Sequence, residues 1–257
     1  MRVKKQFVLA ANWKMYKTPA ETEKFFRDFL PLEKNFSEQF KTLFFIPALN
    51  MASAAELLQG AKSLWGGQNI YFENEGAFTG ENSPKVLKEI GAQICLVGHS
   101  ERRSLFAETD QDCAKKIKAA QALGLVPMLC VGESLAERQA GQTFKVITEQ
   151  LKNSLAHFDT EKKIYIAYEP VWAIGTGKVA TCQQANEAHL ILRKFLAQTY
   201  SNDLAEAIPI LYGGSVKPEN AQELANQPHI DGFLVGGASL KVDSFAQIAK
   251  IAQLNFA

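Results

Sequence analysis

The chain has 257 residues, 47% of them hydrophobic, and a formal net charge of +1 from 28 Lys+Arg against 27 Asp+Glu. That length suggests one large domain or two small ones, and the composition is far from a disordered one. No run of like charges argues for nucleic acid or an anionic membrane as partner, so an anionic small molecule would need a local site.

The first apolar run, 7–11, follows a basic start. It is shorter than the roughly 7–15 residues of a secretory apolar region, and it runs into Asn12-Trp13-Lys14, so it reads as a buried strand. Seven more short runs follow, at 42–46, 63–67, 94–97, 126–131, 164–168, 210–212 and 232–235. They are continuous, not alternating, as expected for strands covered on both faces. None approaches the roughly 18 apolar residues of a membrane helix. Between them lie segments with helical periodicity. In 104–123 Phe106, Cys113, Ile117 and Ala120 fall on one face, and in 181–200 Ala185, Ala188, Leu192 and Phe195 do. Thr18-Pro19-Ala20-Glu21, Ser134-Leu135-Ala136-Glu137 and Thr181-Cys182-Gln183-Gln184 are capping boxes, the first with Pro at the first helical position. Eight strand–helix units with no linker predict a single (β/α)8 barrel domain over 1–257, with a doubly wound open sheet as the alternative. In a barrel, chemistry belongs where strands end, on the C-terminal face.

Cys95, Cys113, Cys130 and Cys182 form no Cys-x-x-Cys pair, and His99, His157, His189 and His229 are scattered. Free thiols in a reducing cytoplasm and no metal site are therefore expected.

The strand ends carry a pattern. Asn12-Trp13-Lys14 follows the first run, Gly98-His99-Ser100-Glu101 the fourth, Glu169 the sixth, Gly213-Gly214-Ser215 the seventh and Gly236-Gly237 the eighth. Singly these are a loop charge, a hydrogen-bonded histidine, a capping carboxylate and turn glycines. Together on one face they make an acid–base site beside an anion site. The glycine loops would let backbone N–H groups approach a ligand. Gly175-Thr176-Gly177-Lys178 imitates a P-loop ending, but Trp172 stands where its first glycine belongs and Val179 replaces its Ser/Thr. Gly175-x-Gly177-x-x-Ala180 imitates a dinucleotide fingerprint but does not directly follow the strand. The segment 169–178 reads better as a lid, with Pro170 and the glycines as its ends and Val171, Trp172 and Ile174 as an apolar body that excludes water.

With these residues in view, the chain resembles the triosephosphate isomerase family. The matching stretches are Asn-Trp-Lys-Met at 12–15, Gly-Ala-Phe-Thr-Gly-Glu at 76–81 and Gly-His-Ser-Glu-Arg-Arg at 98–103. They continue with Tyr-Glu-Pro-Val-Trp-Ala-Ile-Gly-Thr-Gly-Lys at 168–178, Tyr-Gly-Gly-Ser-Val at 212–216 and Val-Gly-Gly-Ala-Ser-Leu at 235–240. They run in family order over nearly the whole chain; only 20–62 and 140–163 match loosely. The resemblance implies interconversion of dihydroxyacetone phosphate and glyceraldehyde 3-phosphate through an enediolate, without metal or redox cofactor. It implies Glu169 as the base, His99 as the group polarising the carbonyl and shuttling protons, and Lys14 with Asn12 stabilising negative charge. Ser100 and Glu101 would support them, and Gly175, Ser215, Gly236 and Gly237 would hold the phosphate. It also implies a homodimer, with the loop at 71–84 bringing Thr79 near the partner's site; an exposed Phe78 in that loop would fit an interface.

Two other functions are open to a barrel. A lyase or epimerase would need a Schiff-base lysine or metal carboxylates at strand ends, and Lys14 is the one lysine placed there. A non-catalytic phosphate-binding or scaffold protein would have little use for Glu169 and His99 together.

Overall fold

The computed structural model describes residues 6–175 and 179–254. Eight parallel strands follow one another around a closed barrel: β1 (Phe7–Asn12), β2 (Phe40–Ile46), β3 (Leu64–Gly67), β4 (Ile94–Val97), β5 (Val126–Val131), β6 (Tyr165–Tyr168), β7 (Ile210–Tyr212) and β8 (Gly232–Val235). β8 pairs back onto β1, with Val8 opposite Gly232 and Ala11 opposite Val235, so no edge remains and the open sheet is excluded. Each expected strand is present, with ends displaced by at most two residues. Extension of β1 to Asn12, paired with Phe45, puts the first site residue on the sheet itself.

Helices cover the outside: α1 (Pro19–Glu33), α2 (Met51–Leu57), α3 (Pro84–Glu89), α4 (Ser100–Leu105), α5 (Asp110–Ala122), α6 (Leu135–Gln139), α7 (Thr143–Ser154), α8 (Cys182–Thr199), α9 (Asn202–Ala207), α10 (Pro218–Ala225) and α11 (Val242–Gln253). All three expected capping boxes form, at the starts of α1, α6 and α8. The single helix expected over 104–123 is instead two. α4 ends at Leu105, Ala107 takes φ +54°, and Thr109 caps α5 with Asp112 in the Glu/Gln place. Phe106, expected on a buried face, sits in this break and is 66% exposed. Cys113, Ile117 and Ala120 are buried as expected.

The alternation of strand residues builds two apolar layers. Val8, Ala10, Leu43, Phe45, Met128, Cys130 and Leu234 fill the barrel interior. Their outward neighbours pack against the helices, with Trp13, Phe25, Phe26, Phe29, Phe44 and Phe245 forming one aromatic cluster under α1 and α11. A filled interior closes the barrel to ligands, so the strand-end loops are left to form the site.

Candidate active site

A cavity of about 810 Å³ opens at the C-terminal ends of the strands. Asn12, Lys14, His99, Glu169, Gly175, Ser215, Gly236 and Gly237 all line it. Three further site candidates lie outside it. Ser100 sits behind Glu169, Glu101 reaches Lys14 from an adjoining cavity, and Thr79 is exposed on the loop before α3.

Glu169 follows β6 and is 2% exposed. Its Oε2 accepts the Ser100 N–H at 2.8 Å, and its Oε1 lies 3.0 Å from His99 Nε2. Space for it comes from glycines on both neighbouring strand ends. A Cβ on Gly132 would stand 1.7 Å from the Glu169 carbonyl oxygen, and one on Gly213 would stand 2.9 Å from its Cγ. The Gly213 N–H already donates to Tyr168 O at 2.8 Å, and a Cβ on Gly214 would strike the Tyr212 hydroxyl. These two glycines therefore make room for protein atoms, while both also line the cavity. Gly236 and Gly237 do leave open space: a Cβ on Gly237 would meet nothing within 4 Å, and one on Gly236 only Lys14 Cε.

His99 caps α4 and is 5% exposed. Its Nδ1 accepts the Glu101 N–H at 3.2 Å. A backbone N–H can only donate, so Nδ1 carries no proton and the proton of the neutral ring is on Nε2, facing Glu169. Burial works to lower the His99 pKa, but the charge and hydrogen bond of Glu169 together with the charge of Glu101 outweigh it and the net shift is upward. For Glu169 burial works upward, but His99, the Ser100 N–H and Lys14 outweigh it and hold the carboxyl below its ordinary value. Burial alone would raise the basicity of Glu169. In this geometry the donors decide, and the carboxylate becomes a stronger base only by leaving them.

Lys14 takes φ +50°, and its ammonium lies 2.5 Å from Glu101 Oε1. The pair links β1 to the start of α4, so the cation and the imidazole share one support.

The near end of the expected lid is moored to a residue that the sequence did not single out. Glu133, fully buried beyond β5, accepts hydrogen bonds from Trp172 Nε1 at 2.8 Å and from the Tyr168 hydroxyl at 3.1 Å, and pairs with Arg138 at 3.2 Å. The Arg138 guanidinium also lies over the Trp172 ring. The Val171 N–H donates to the Glu133 carbonyl. A carboxylate two residues past an apolar strand was the available signal. Pro170 precedes a 3₁₀ turn at Val171–Ala173, Ile174 is half-buried and Gly175 is exposed at φ +69°. Thr176, Gly177 and Lys178, the remainder of the expected lid, lie outside the described residues.

Among the described residues, no group of three or more His, Cys, Asp or Glu side chains is gathered as a metal would require. No described helix is long and apolar enough to cross a membrane. All four cysteines are unpaired.

The sequence profile of the triosephosphate isomerase family matches residues 7–252. A triosephosphate isomerase of Bdellovibrio bacteriovorus is 49% identical over 244 residues, covering 95% of this chain and 99% of its own. One from Dictyoglomus thermophilum is 46% identical over 95% of this chain and 98% of its own. One from Geobacter metallireducens is 46% identical over 94% and 96%.

Proposed function

The chain belongs to the triosephosphate isomerase family, and from that premise we propose how its residues interconvert D-glyceraldehyde 3-phosphate and dihydroxyacetone phosphate. The reaction belongs to glycolysis and gluconeogenesis. Glu169 takes the proton from the carbon beside the carbonyl, and the electron pair left behind makes the carbonyl oxygen an oxyanion. His99 Nε2–H donates to that oxygen, and Lys14 and Asn12 stabilise its charge. Proton movement between the two oxygens through His99, and return of the proton from Glu169 to the neighbouring carbon, complete the isomerisation. N–H groups at Gly175, Ser215, Gly236 and Gly237 hold the phosphate, and Ser100 and Glu101 support Glu169, His99 and Lys14.

One observation carries this reading: His99 Nε2 stands 3.0 Å from Glu169 Oε1 while Nδ1 is occupied by the Glu101 N–H. A neutral imidazole can donate to a developing oxyanion and return afterwards without becoming a permanent charge. In the free site Glu169 is stabilised by the donors of Ser100 and His99. A substrate between Glu169 and His99 separates them, and closure of the lid then leaves the carboxylate desolvated without those donors, which raises its basicity. A phosphate-binding scaffold would gain nothing from burying a carboxylate against the imidazole. A Schiff-base mechanism is opposed by the ion pair that occupies the Lys14 ammonium.

The whole chain acts as one catalytic domain, and the working form is a homodimer. Beside Lys14 and Glu101 lies a second cavity, of about 830 Å³, whose rim carries Met15, 95% exposed, and Leu49, 92% exposed. The loop before α3 presents Phe78 and Thr79 as the matching projection. The compartment is the cytoplasm, consistent with four unpaired thiols.

The test is isomerisation in D₂O. Proton transfer through an enediolate puts solvent deuterium on carbon in the product, whereas direct hydride transfer would deliver product free of deuterium and refute the mechanism.

A further inference from the structure

Gln68 follows β3 and was not among the residues singled out by sequence. Its side-chain nitrogen lies 3.2 Å from Asn12 Oδ1, 2.8 Å from Lys14 O and 3.2 Å from Phe45 O. The Lys14 and Phe45 oxygens are backbone acceptors, so the Gln68 atom among them must be the NH₂ group. The orientation of Asn12 is fixed in the same way. The Lys14 N–H reaches it at 3.0 Å and can only donate, so the atom it meets is the Asn12 carbonyl oxygen. With that oxygen engaged by both Lys14 and Gln68, what remains for the cavity is the Asn12 NH₂ group. Lys14 itself holds a left-handed backbone, unfavourable for a residue with a Cβ. Gln68 grips its carbonyl and Asn12 grips its N–H, so both flanks of the turn are pinned.

We propose that Gln68 is a positioning residue for this reaction: its carboxamide fixes the polarity of the Asn12 amide and the turn that carries Lys14. The enediolate oxygens then meet donors, not the Asn12 carbonyl oxygen. The inference rests on the assignment of Asn12 and Lys14 to the substrate site made above. A flipped Asn12 would set an acceptor against a developing negative charge, where the reaction needs preorganised donors. Gln68 acts through Asn12 and Lys14 and needs no contact with substrate.

The test is a kinetic cycle with Gln68→Met, which keeps the length and loses the donors, and Gln68→Glu, which keeps the shape and offers only acceptors. Each is made in the wild type and in Asn12→Ala, and rates are taken per folded enzyme. Gln68→Met should lose about 10- to 10²-fold in kcat/KM, mostly in kcat, as expected for a displaced catalytic geometry. Gln68→Glu should lose more, because its carboxylate repels the Asn12 oxygen and turns the amide over. That excess of Glu over Met should vanish in Asn12→Ala. A merely structural Gln68 would lower Tm and leave kcat/KM per folded enzyme unchanged. Either variant within about twofold of wild type, or the same excess with and without the Asn12 amide, overturns the proposal. If Asn12→Ala is impaired in either case, only the role of Gln68 falls. If Asn12→Ala turns over like wild type, the site assignment fails first and the proposal fails with it.

Discussion

Two residues with opposite needs share one hydrogen bond in the free site. On the proposed mechanism, Glu169 must be a carboxylate before it can accept a proton, and His99 must be neutral before it can donate one usefully. Because the Glu169 pKa is lowered, its basic form persists below the ordinary carboxylate value of about 4.3. The tautomer gives a check: at a pH above the titration of His99, where its ring is neutral, ¹⁵N NMR should find Nδ1 unprotonated and Nε2 protonated, and a neutral ring protonated at Nδ1 would refute its bond from the Glu101 N–H. These residues were legible because each ends a recognisable apolar strand. Their couplings were not. Nothing in the sequence says that Gly132 and Gly213 are glycines because Glu169 occupies their Cβ space, or that Gln68 orients Asn12. Such facts depend on which strand ends become neighbours when the barrel closes.

At the scale of elements, the proposed lid is tied to the barrel through one buried carboxylate, Glu133. Trp172 and Tyr168 both donate to Glu133, and Arg138 pairs with it and covers the Trp172 ring. Trp172→Phe keeps the apolar body and removes the donor, leaving a buried carboxylate one hydrogen bond short at a cost of about 1–3 kcal/mol. Part of that cost should appear as a lower kcat, with more phosphate released per turnover, because a loosened lid exposes the enediolate to elimination. Unchanged partitioning between isomerisation and phosphate release would separate the mooring from closure. The helices show what pattern reading can and cannot do. Glu or Gln three residues after a Ser or Thr cap located the starts of α1, α6 and α8. Thr109 has Asp112 in that place, which forms the same reciprocal bonds but escapes the pattern. The break before α5 was therefore missed, and Phe106 was assigned to a face it does not occupy.

The whole molecule depends on buried polar ties as well as on its core. Glu108 accepts the Gly98 N–H beside His99 and pairs with Lys116 at 2.8 Å and Arg102 at 2.5 Å. Lys116 continues to Asn69, and Asn69 to Glu81, which joins α4 to the projecting loop. Burial works to raise the Glu108 pKa, but its cationic partners outweigh burial and lower it. Its stabilising contribution is thus complete above the unfolded value near ~4.3 and is lost as pH falls through the lower folded value. Glu108→Gln should flatten that acid limb in denaturation curves and cost about 3–5 kcal/mol at neutral pH by stranding the buried Lys116 ammonium and leaving the half-buried Arg102 without its carboxylate. Phe44→Ala, which empties the centre of the aromatic cluster, should cost a similar ~3–5 kcal/mol with no change in the pH profile. The homodimer predicts a two-chain mass by light scattering at low micromolar concentration. Thr79→Arg should give a monomer with low activity, and a clean monomer peak for the wild type would end the dimer proposal. The most direct test of the account is coupled isomerisation of glyceraldehyde 3-phosphate by the wild type beside Glu169→Gln. Loss of the positioned base should cost about 10²–10⁴-fold in rate, or roughly 3–5 kcal/mol. Turnover that survives the substitution would contradict the role of Glu169 and the site built around it.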